Sequence, residues 1–402
     1  AALCGSHTAW ASQPGSHGYR SSREWLPREP VVTMPTGVEL MAGRELPQGF
    51  DWRNVSGENF VTVDINQHQP HYCGSCWVHG TASALNDRMK IMRRRKFPDI
   101  ILGRQSLLNC VPDPSGKHAP PGCNGGDPYM VHKFMHHNKV PDESCLSYAA
   151  VNQECSAFNV CRNCLPGHAT PEARFTAGPC FAVNTFIGFG VSDYGHISGE
   201  EAMRKEIYAR GPIPCVFATT LDFIVNYTHN EGVRRDGVYV DRKKYAPEDG
   251  DHIMEVAGWG QTGFGTKYWV VRNSWGTYWG DAGWFKLERG VNAMLVEESC
   301  DWAVPDFEEL DKNLLHHVQG DYFYGPGDAA NFGPGKKGYQ GLALGELATG
   351  STVAASPDSS ATMFVTTAVT SATAGALLAW AVPRLLTRSR RNSVRLPAGL
   401  LG

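Results

Sequence analysis

The chain has 402 residues, which suits two or three domains, or one large domain with appendages, and argues against a short disulfide-rich fold. Hydrophobic residues make up 42% of the chain and charged residues 19%, with 11 Trp, a composition that excludes a disordered protein. The net charge of −3 gives no sign of a nucleic-acid partner, and the 12 Cys indicate an oxidising compartment, where thiols can pair.

The first part of the chain, residues 1–45, is rich in Gly, Ser, Pro and His, and its apolar residues follow neither a helical nor a strand period. We therefore expect an extended leader here. The leader shows no apolar run flanked by positive charge, and hence no signal peptide, but the Cys count leads us to expect one upstream of this sequence. Residues 46–305 are rich in Trp and hold eleven of the Cys, and they are predicted to form the folded body.

The run Cys73-Gly-Ser-Cys76-Trp77 stands at the start of a predicted helix. Apolar residues then recur at spacings of four and three, and basic residues follow at 93–96, which is typical of an amphipathic helix and its end. These apolar residues are Val78, Ala82, Leu85, Met89 and Met92. Cys76 is thus expected at a helix N-terminus, where the helix dipole and unpaired N–H groups favour a thiolate. The pattern indicates a nucleophilic cysteine.

Two other interpretations of these cysteines remain open at this point. Cys73 and Cys76 have the spacing of a redox-active pair, and with Cys161 and Cys164 they have the spacing of a zinc site. The surrounding sequence lacks the alternation of strands and helices found around redox pairs, and the other cysteines would compete for partners. A nucleophile is therefore favoured over both, and over a cysteine that is merely buried.

A partner for Cys76 comes from a predicted hairpin. Residues 252–259 and 267–273 are apolar and rich in strand formers, and the segment GQTGFGT between them supplies turn residues. An antiparallel register centred near Thr262 and Gly263 places His252 opposite Asn273. The Asn273 carboxamide can then accept an imidazole N–H, which leaves the other ring nitrogen of His252 for Cys76.

After the body, residues 306–360 return to Gly, Ala, Ser and Thr and are expected to form a flexible linker. Residues 361–383 are a candidate transmembrane helix, because 363–382 carries no charge and is long enough to cross a bilayer as a helix. Five Arg and no acidic residue follow in 384–402, as in a basic cytosolic tail. A disordered tail rich in Ala and Thr is the alternative.

These features resemble the papain family of cysteine proteases, of which C-G-S-C-W is a signature. The resemblance covers residues 46–305 and includes Asn66-Gln-His-x-Pro-x-Tyr72, Cys123-x-Gly-Gly126, Asp193-Tyr-Gly195, the segment 206–215, Asn226-Tyr-Thr228, the segment 256–260 and the segment 268–276. It implies an α+β, papain-like two-lobed fold, with a helical lobe that carries Cys76 and a β-rich lobe that carries His252. The active cleft would lie between the two lobes.

The resemblance also implies roles for residues. Cys76 would be the nucleophile, His252 the base and acid, Asn273 the orienting residue, and Gln67 a side-chain donor to the oxyanion. Trp275 would shield the hydrogen bond between Asn273 and His252 from water. No cofactor and no metal are implied.

Two glycines are expected to line the substrate cleft. Gly125 and Gly126 lack side chains, so a substrate backbone can lie close against them. An ordinary turn is the alternative for the same pair.

The loop before the nucleophile is longer than usual. Five residues separate Gln67 from Cys73, where the commoner papain-like pattern has two. In a carboxypeptidase branch of the family, this longer loop narrows the side of the cleft beyond the scissile bond, and a His in it meets the substrate's terminal carboxylate. The corresponding residue here is His68, and an imidazolium beside a carboxylate provides a charge-assisted hydrogen bond. The resemblance thus implies a carboxypeptidase that acts on peptides and proteins with a free C-terminus.

Several alternatives to this function stay open. His68 and His71 can be ordinary solvated loop residues. Gln69 and His71 depart from the residues expected in the loop, and if they leave the cleft open the enzyme would be a broader endopeptidase or a dipeptidyl-type protease. A catalytically inactive surface-binding module is the alternative of another class.

The resemblance further implies five disulfides, namely Cys73–Cys123, Cys110–Cys155, Cys145–Cys161, Cys164–Cys180 and Cys215–Cys300. Cys4 and Cys76 remain, and a disulfide between them would keep residues 1–45 in place as a short propeptide of a zymogen. Asn54 and Asn226 begin glycosylation sequons. We expect a lysosome-like acidic compartment, secretion or the cell surface, with membrane anchoring as a possibility if 363–382 spans a bilayer.

Overall fold

The structure is a computed structural model that describes residues 18–22, 28–113, 121–167, 177–306 and 318–319. Cys4, most of the predicted linker 306–360, the candidate span 361–383 and the tail 384–402 lie outside the described residues. Of the helices in the described ranges, none is long and apolar enough to cross a membrane.

The described residues form seven α-helices: α1 (Gly37–Leu40), α2 (Cys76–Met92), α3 (Arg104–Cys110), α4 (Pro128–His137), α5 (Glu200–Arg210), α6 (Leu221–Asn226) and α7 (Glu231–Asp236). They also form strands β1 (Phe50–Asp51), β2 (Arg162–Pro166), β3 (Ala177–Ala182), β4 (Thr185–Phe186), β5 (Gly190–Ile197), β6 (Ile213–Phe217), β7 (Val238–Tyr239), β8 (His252–Gln261), β9 (Lys267–Arg272), β10 (Trp284–Glu288), β11 (Cys300–Asp306) and β12 (Val318–Gln319).

The main sheet has eight strands in the order β5-β11-β6-β8-β9-β10-β7, with β1 paired to β8. Neighbouring strands are antiparallel except β10 and β7, which are parallel. Strand β8 lies near the middle of the order and is buried along its length except at its last residue. Because β8 begins at His252, the sheet holds that side chain at the end of a rigid central strand.

The predicted helix after the nucleophile motif is confirmed, since α2 begins at Cys76 and ends at Met92. Its burial exceeds what the amphipathic pattern indicates, because every residue except Lys90 and Met92 is buried. The polar residues of its second face are paired inside the protein: Asp87 lies 3.0 Å from the guanidinium of Arg272, and Arg88 lies 2.9 Å from the carboxylate of Glu206. Buried charges of this kind need partners, and these partners make α2 the central helix between two lobes.

Two hydrophobic clusters define the lobes. One cluster packs α2, α3 and α4 around residues such as Trp77, Leu85 and Leu107, and the other packs the main sheet around residues such as Trp259 and Trp269. The α+β fold expected from the sequence is thus confirmed. Within the described residues five disulfides are present, and they link the pairs that the resemblance implied: Cys73–Cys123, Cys110–Cys155, Cys145–Cys161, Cys164–Cys180 and Cys215–Cys300.

The leader differs from the prediction of an extended segment without regular structure. It contains α1, which Thr36 and Glu39 close with a reciprocal capping box. Val31 pairs with Tyr194 of β5 through a backbone bridge. The pattern T-x-x-E is typical of such a helix start, but a four-residue helix is too short to show an apolar period.

Polar contacts fasten the leader to the body. Arg28 lies between the buried carboxylates of Asp127 and Asp301, with hydrogen bonds to both. The backbone N–H of Gly37 donates to the buried carboxylate of Glu206 at 3.0 Å. Arg28 is thus the leader's main charged anchor on the folded body.

Candidate active site

Cys76 is the first residue of α2 and is completely buried. A glycine one helical turn later sets its position, because residues four apart lie on the same face of a helix. A Cβ at Gly80 would lie 2.8 Å from the Cγ2 and 3.1 Å from the carbonyl oxygen of Ile253. Helix α2 therefore approaches β8 more closely than any side chain would allow. The thiol of Cys76 accepts a hydrogen bond from the backbone N–H of Ile253, the residue after His252.

The predicted hairpin is confirmed as β8 and β9, but its predicted register is wrong. Gln261 pairs with Lys267, which centres the hairpin on Phe264, and the pairing shifts between Val256 and Gly258. Glu255 therefore lies opposite Arg272, and Asn273 follows the last residue of β9. The sequence could not supply this register, because it depends on a bulge and on the loop conformation.

His252 and Asn273 nevertheless meet through their side chains. The Nε2 of His252 lies 3.0 Å from the Oδ1 of Asn273, and that oxygen also accepts from the backbone N–H of Ser274 at 2.8 Å. An oxygen that accepts from Ser274 must also accept from His252, so Nε2 carries the proton. The indole of Trp275 stacks on the imidazole with ring centroids 5.1 Å apart. This arrangement leaves Nδ1 as the basic nitrogen of His252.

The thiol in this structure is not poised as the sequence suggests. Burial raises the pKa of the Cys76 thiol far above its usual range, and the carboxylate of Asp251 adds to the effect, while the N–H of Ile253 opposes it. Burial also raises the pKa of Asp251 to about 6, although that carboxylate accepts hydrogen bonds from Thr219. The helix N-terminus lowers the pKa of the thiol, but this effect is smaller than the increase caused by desolvation of the buried sulfur. Burial thus favours the protonated thiol of Cys76 in this structure.

Gln67 is held by polar contacts at its backbone and its side chain. Its Oε1 accepts from the hydroxyl of Ser274 at 2.6 Å, and its Nε2 donates to the carbonyl of Cys73 at 3.0 Å. Its backbone N–H donates to the carbonyl of Ser274 at 2.8 Å. An amide with its oxygen turned to Ser274 presents its nitrogen as a hydrogen-bond donor on the Cys73 side.

The leader backbone lies against Gly126. The N–H of Gly126 donates to the carbonyl of Gly18 at 3.0 Å, and its carbonyl accepts from the N–H of Arg20 at 2.9 Å. Between these contacts, the buried side chain of Tyr19 fills the neighbouring space. Gly125 has a φ of +101°, and a Cβ there would lie 2.9 Å from the carbonyl oxygen of Gly18. The pair of glycines thus admits a peptide backbone, as the sequence predicts for substrate.

The loop between Gln67 and Cys73 orients His68. The ring of His68 stacks on Tyr72 with centroids 4.5 Å apart and planes 8° apart. Its Nδ1 accepts from the backbone N–H of Cys73 over a long 3.4 Å, so Nε2 is the nitrogen that carries a proton in the neutral ring. Sequence reasoning did not assign a role to Tyr72, although it stands in the quoted motif. His71 of the same loop is exposed.

The disulfides also decide between the interpretations of the cysteines. Cys73 is bonded to Cys123, so the redox pair with Cys76 is wrong, and the zinc site is wrong because Cys161 and Cys164 lie in separate disulfides. Cys76 is the free cysteine of the described residues. Asn54 and Asn226 are both exposed, as glycosylation requires.

Residues 46–304 match the family described as papain family cysteine protease. The chain belongs to the papain family. This papain-family protease is 38% identical over 269 residues to cathepsin Z of Onchocerca volvulus, an alignment that covers 65% of this chain and 78% of that protein. It is 28% identical to cathepsin B-like cysteine proteinase 6 of Caenorhabditis elegans, over 68% of this chain and 70% of the relative.

The fold of this papain-family protease is also found in a solved structure. Procathepsin B S9 from Trypanosoma congolense matches with a TM-score of 0.50 and 22% identity, over 70% of this chain and 84% of that one. At this identity the likeness speaks for the fold alone. The papain-like fold and the cysteine protease class expected from the sequence are thus confirmed.

Proposed function

We propose that this cysteine protease is a carboxypeptidase that removes residues from the free C-terminus of peptides and proteins. Cys76 is its nucleophile, His252 its acid and base, Asn273 the residue that orients His252, and Gln67 a donor to the oxyanion. The single observation that carries the carboxypeptidase proposal is the fixed ring of His68 in the loop before the nucleophile.

The proposed reaction proceeds by acyl transfer. His252 takes the proton of Cys76, and the thiolate sulfur bonds to the carbonyl carbon before the last residue. The negative charge on the carbonyl oxygen is stabilised by the side-chain N–H of Gln67 and the backbone N–H of Cys76. His252 then gives the proton to the departing amine, which leaves as a free amino acid. Water, deprotonated by His252, cleaves the thioester and restores the thiol.

His68 gives the proposed selectivity. Stacking on Tyr72 and the contact with the N–H of Cys73 fix the ring and make Nε2 its donor, and this donor is proposed to bind the terminal carboxylate of the substrate. Protonation of His68 in an acidic compartment would add a positive charge to that contact. The relative named cathepsin Z supports this proposal at 38% identity.

Residues 1–45 are proposed to be a propeptide that keeps the enzyme inactive. The contacts of Gly18 and Arg20 with Gly126 support this, since they occupy backbone groups that a substrate would need. The burial of Tyr19 of this segment in the same hydrophobic cluster as Cys76 supports it too. A disulfide between Cys4 and Cys76 remains part of the proposal, and activation would then need reduction as well as cleavage near Leu46.

The proposed setting follows from the same chemistry. Five disulfides fit an oxidising environment, such as a lysosome-like compartment, the secretory route or the cell surface. Asn54 and Asn226 are the proposed glycosylation sites. No cofactor takes part in the reaction as proposed.

The decisive experiment is the digestion of one defined peptide with a free C-terminus and the same peptide with an amidated C-terminus, at mildly acidic pH and with reductant. We expect single residues to be lost from the free peptide and much slower loss from the amide, as measured by mass spectrometry. Equal rates on both peptides, or internal cuts, would favour the alternative of a broader endopeptidase or dipeptidyl-type protease. No cleavage and no labelling of Cys76 by an epoxide inhibitor would favour an inactive binding module.

A further inference from the structure

A chain of side-chain hydrogen bonds runs beneath the active-site loop. The hydroxyl of Tyr148 lies 2.7 Å from the backbone carbonyl oxygen of Gln67 and 2.7 Å from the hydroxyl of Ser75. The Nδ1 of His79 lies 3.1 Å from the Ser75 hydroxyl and 3.0 Å from the Ser75 carbonyl oxygen. The chain thus links the first turn of α2 to the residue proposed as the oxyanion donor.

The polarity of this chain has a single solution. A carbonyl oxygen only accepts, so Tyr148 donates its hydroxyl hydrogen to Gln67 and His79 carries its proton on Nδ1. The protonated Nδ1 cannot accept, so its one N–H is shared between the carbonyl oxygen and the hydroxyl of Ser75, and that hydroxyl donates its own hydrogen to Tyr148. Every donor therefore points one way, from His79 through Ser75 and Tyr148 to the carbonyl of Gln67.

The surroundings keep these protonation states fixed. His79 and Ser75 are buried, and the rings of His79 and Tyr148 pack edge to face with centroids 4.6 Å apart. Burial, together with the charge of Arg104, lowers the pKa of His79 well below its usual range. Burial also raises the pKa of Tyr148 to about 12. Burial thus favours the neutral imidazole and the protonated phenol that this hydrogen-bond chain requires.

The chain completes the support of Gln67 from the helical lobe. Ser274, which follows β9 in the β-rich lobe, contacts the side chain and the backbone N–H of Gln67. Tyr148, which lies between α4 and β2, contacts the backbone carbonyl on the other side. That carbonyl belongs to the peptide bond that leads into His68, so the same contact fixes the base of the loop.

We propose that Tyr148, itself ordered by Ser75 and His79, is a positioning residue that holds Gln67 in register with the Cys76 thiol. This inference rests on the proposed role of Gln67 in stabilising the oxyanion. Tyr148 touches neither substrate nor the reacting atoms in this role. It acts through the main chain of Gln67.

The test compares the activated Tyr148→Phe variant with the activated wild-type enzyme. A donor displaced by a fraction of an ångström stabilises the transition state less, so we expect kcat to fall about 10-fold while KM stays within about twofold. The rate of Cys76 alkylation by iodoacetamide should not change, because that reaction forms no oxyanion. A parallel fall in kcat and alkylation rate would indicate a general structural defect and overturn the inference.

A second background separates this inference from the proposed function. In a Gln67→Ala enzyme, Tyr148→Phe should have no further effect on kcat, because the group it positions is gone. An equal effect in both backgrounds would overturn the positioning role of Tyr148 alone. If Gln67→Ala leaves kcat unchanged, the oxyanion role of Gln67 is wrong, and the inference falls with it.

Matched variants guard against misfolding. Ser106→Ala removes another buried hydroxyl of the helical lobe that donates to a backbone carbonyl, that of Val160 at 2.9 Å, and should leave kcat unchanged. His79→Phe should reproduce the loss in kcat, whereas His79→Asn, which keeps an N–H at the position of Nδ1, should restore most of it. Equal activity of the two His79 variants would contradict the directional chain.

Discussion

At the scale of single residues, the site depends on which atom of each side chain carries a hydrogen. Asn273 makes Nε2 the donor of His252, and the N–H of Cys73 makes Nε2 the donor of His68. The sequence predicts these residue types and their pairing, since an imidazole oriented by a carboxamide and placed beside a thiol is the arrangement of a nucleophilic cysteine site. It does not predict the raised pKa of the Cys76 thiol, because that depends on how completely the folded chain buries the sulfur.

His68→Ala should separate selectivity from catalysis. We expect kcat/KM for a peptide with a free C-terminus to fall about 10-fold to 100-fold, since a charge-assisted hydrogen bond is lost. Hydrolysis of the amidated peptide should be unchanged, because that substrate offers no carboxylate.

The matched control is His71→Ala, which removes an exposed imidazole from the same loop. It should leave both rates as they are. Equal losses on both peptides for His68→Ala would mean that His68 serves the fold of the loop and not the recognition of a carboxylate.

At the scale of elements, the meeting of α2 and β8 joins the two lobes at the active site. Gly80 permits the contact, and the thiol of Cys76 meets the N–H of Ile253 one turn earlier. Gly80→Ala would gain helix propensity of about 1 kcal/mol, but the new methyl group would press on a backbone carbonyl that cannot move cheaply. We expect kcat to fall about 10-fold as Cys76 shifts from His252, with a lower melting temperature.

Gly263→Ala is the control for this substitution. Gly263 lies in the loop between β8 and β9, and a Cβ there meets no atom within 4 Å. The Gly263→Ala substitution should change neither kcat nor the melting temperature. A Gly80→Ala enzyme with full activity would show that the close approach of α2 to β8 is not needed for the site.

The elements themselves were largely predictable, and their relative placement was not. Helix α2 and the hairpin of β8 and β9 follow from periodicity and turn residues, and both are confirmed. The register of the hairpin is wrong in the prediction because a bulge after Val256 and a loop centred on Phe264 set it. The burial of both faces of α2 could not be predicted either, since the partners of Asp87 and Arg88 come from distant parts of the chain.

At the scale of the whole molecule, a buried charge cluster links the two lobes. Arg272 of β9 contacts Asp87 of α2, Glu255 of β8 and Asp64. All three carboxylates pair with Arg272, and their burial makes it costly for all of them to ionise together. Burial raises the pKa of Glu255 well above its usual range, and the carboxylates of Asp87 and Asp64 add to this although Arg272 opposes it.

This cluster predicts a stability that falls as the pH rises. A carboxyl group whose pKa is higher in the folded state contributes most when it is protonated, below about pH 4.3, and its contribution is lost as the pH rises towards and through the folded pKa. We expect the melting temperature to drop between pH 5 and pH 8, and Glu255→Gln to reduce that drop. Glu248→Gln, which changes an exposed carboxyl group, is the control and should leave the drop in melting temperature unchanged. An unaltered pH dependence in Glu255→Gln would mean that Glu255 is ionised throughout.

The leader is a further whole-molecule feature, because it contacts both lobes through Arg28. Arg28→Met would leave Asp127 and Asp301 buried without their cation, a loss that is typically large for buried pairs. We expect Cys76 of the unprocessed chain, in mild reductant, to react with an epoxide inhibitor about 10-fold faster or more. Arg20→Met, which changes an exposed leader residue, should have a smaller effect. Equal labelling rates for the two variants would remove Arg28 as the anchor.

Gly18 and Arg20 together use both the N–H and the C=O of Gly126. While leader and body are one chain, this contact is intramolecular, and its effective concentration exceeds that of a soluble peptide. Once the chain is cut near Leu46 and no disulfide ties the fragment, the same segment becomes a separate peptide that competes with substrate. Its occupancy of the cleft then depends on the protein concentration. Specific activity of a freshly processed sample should then rise on dilution, as the fragment dissociates by mass action.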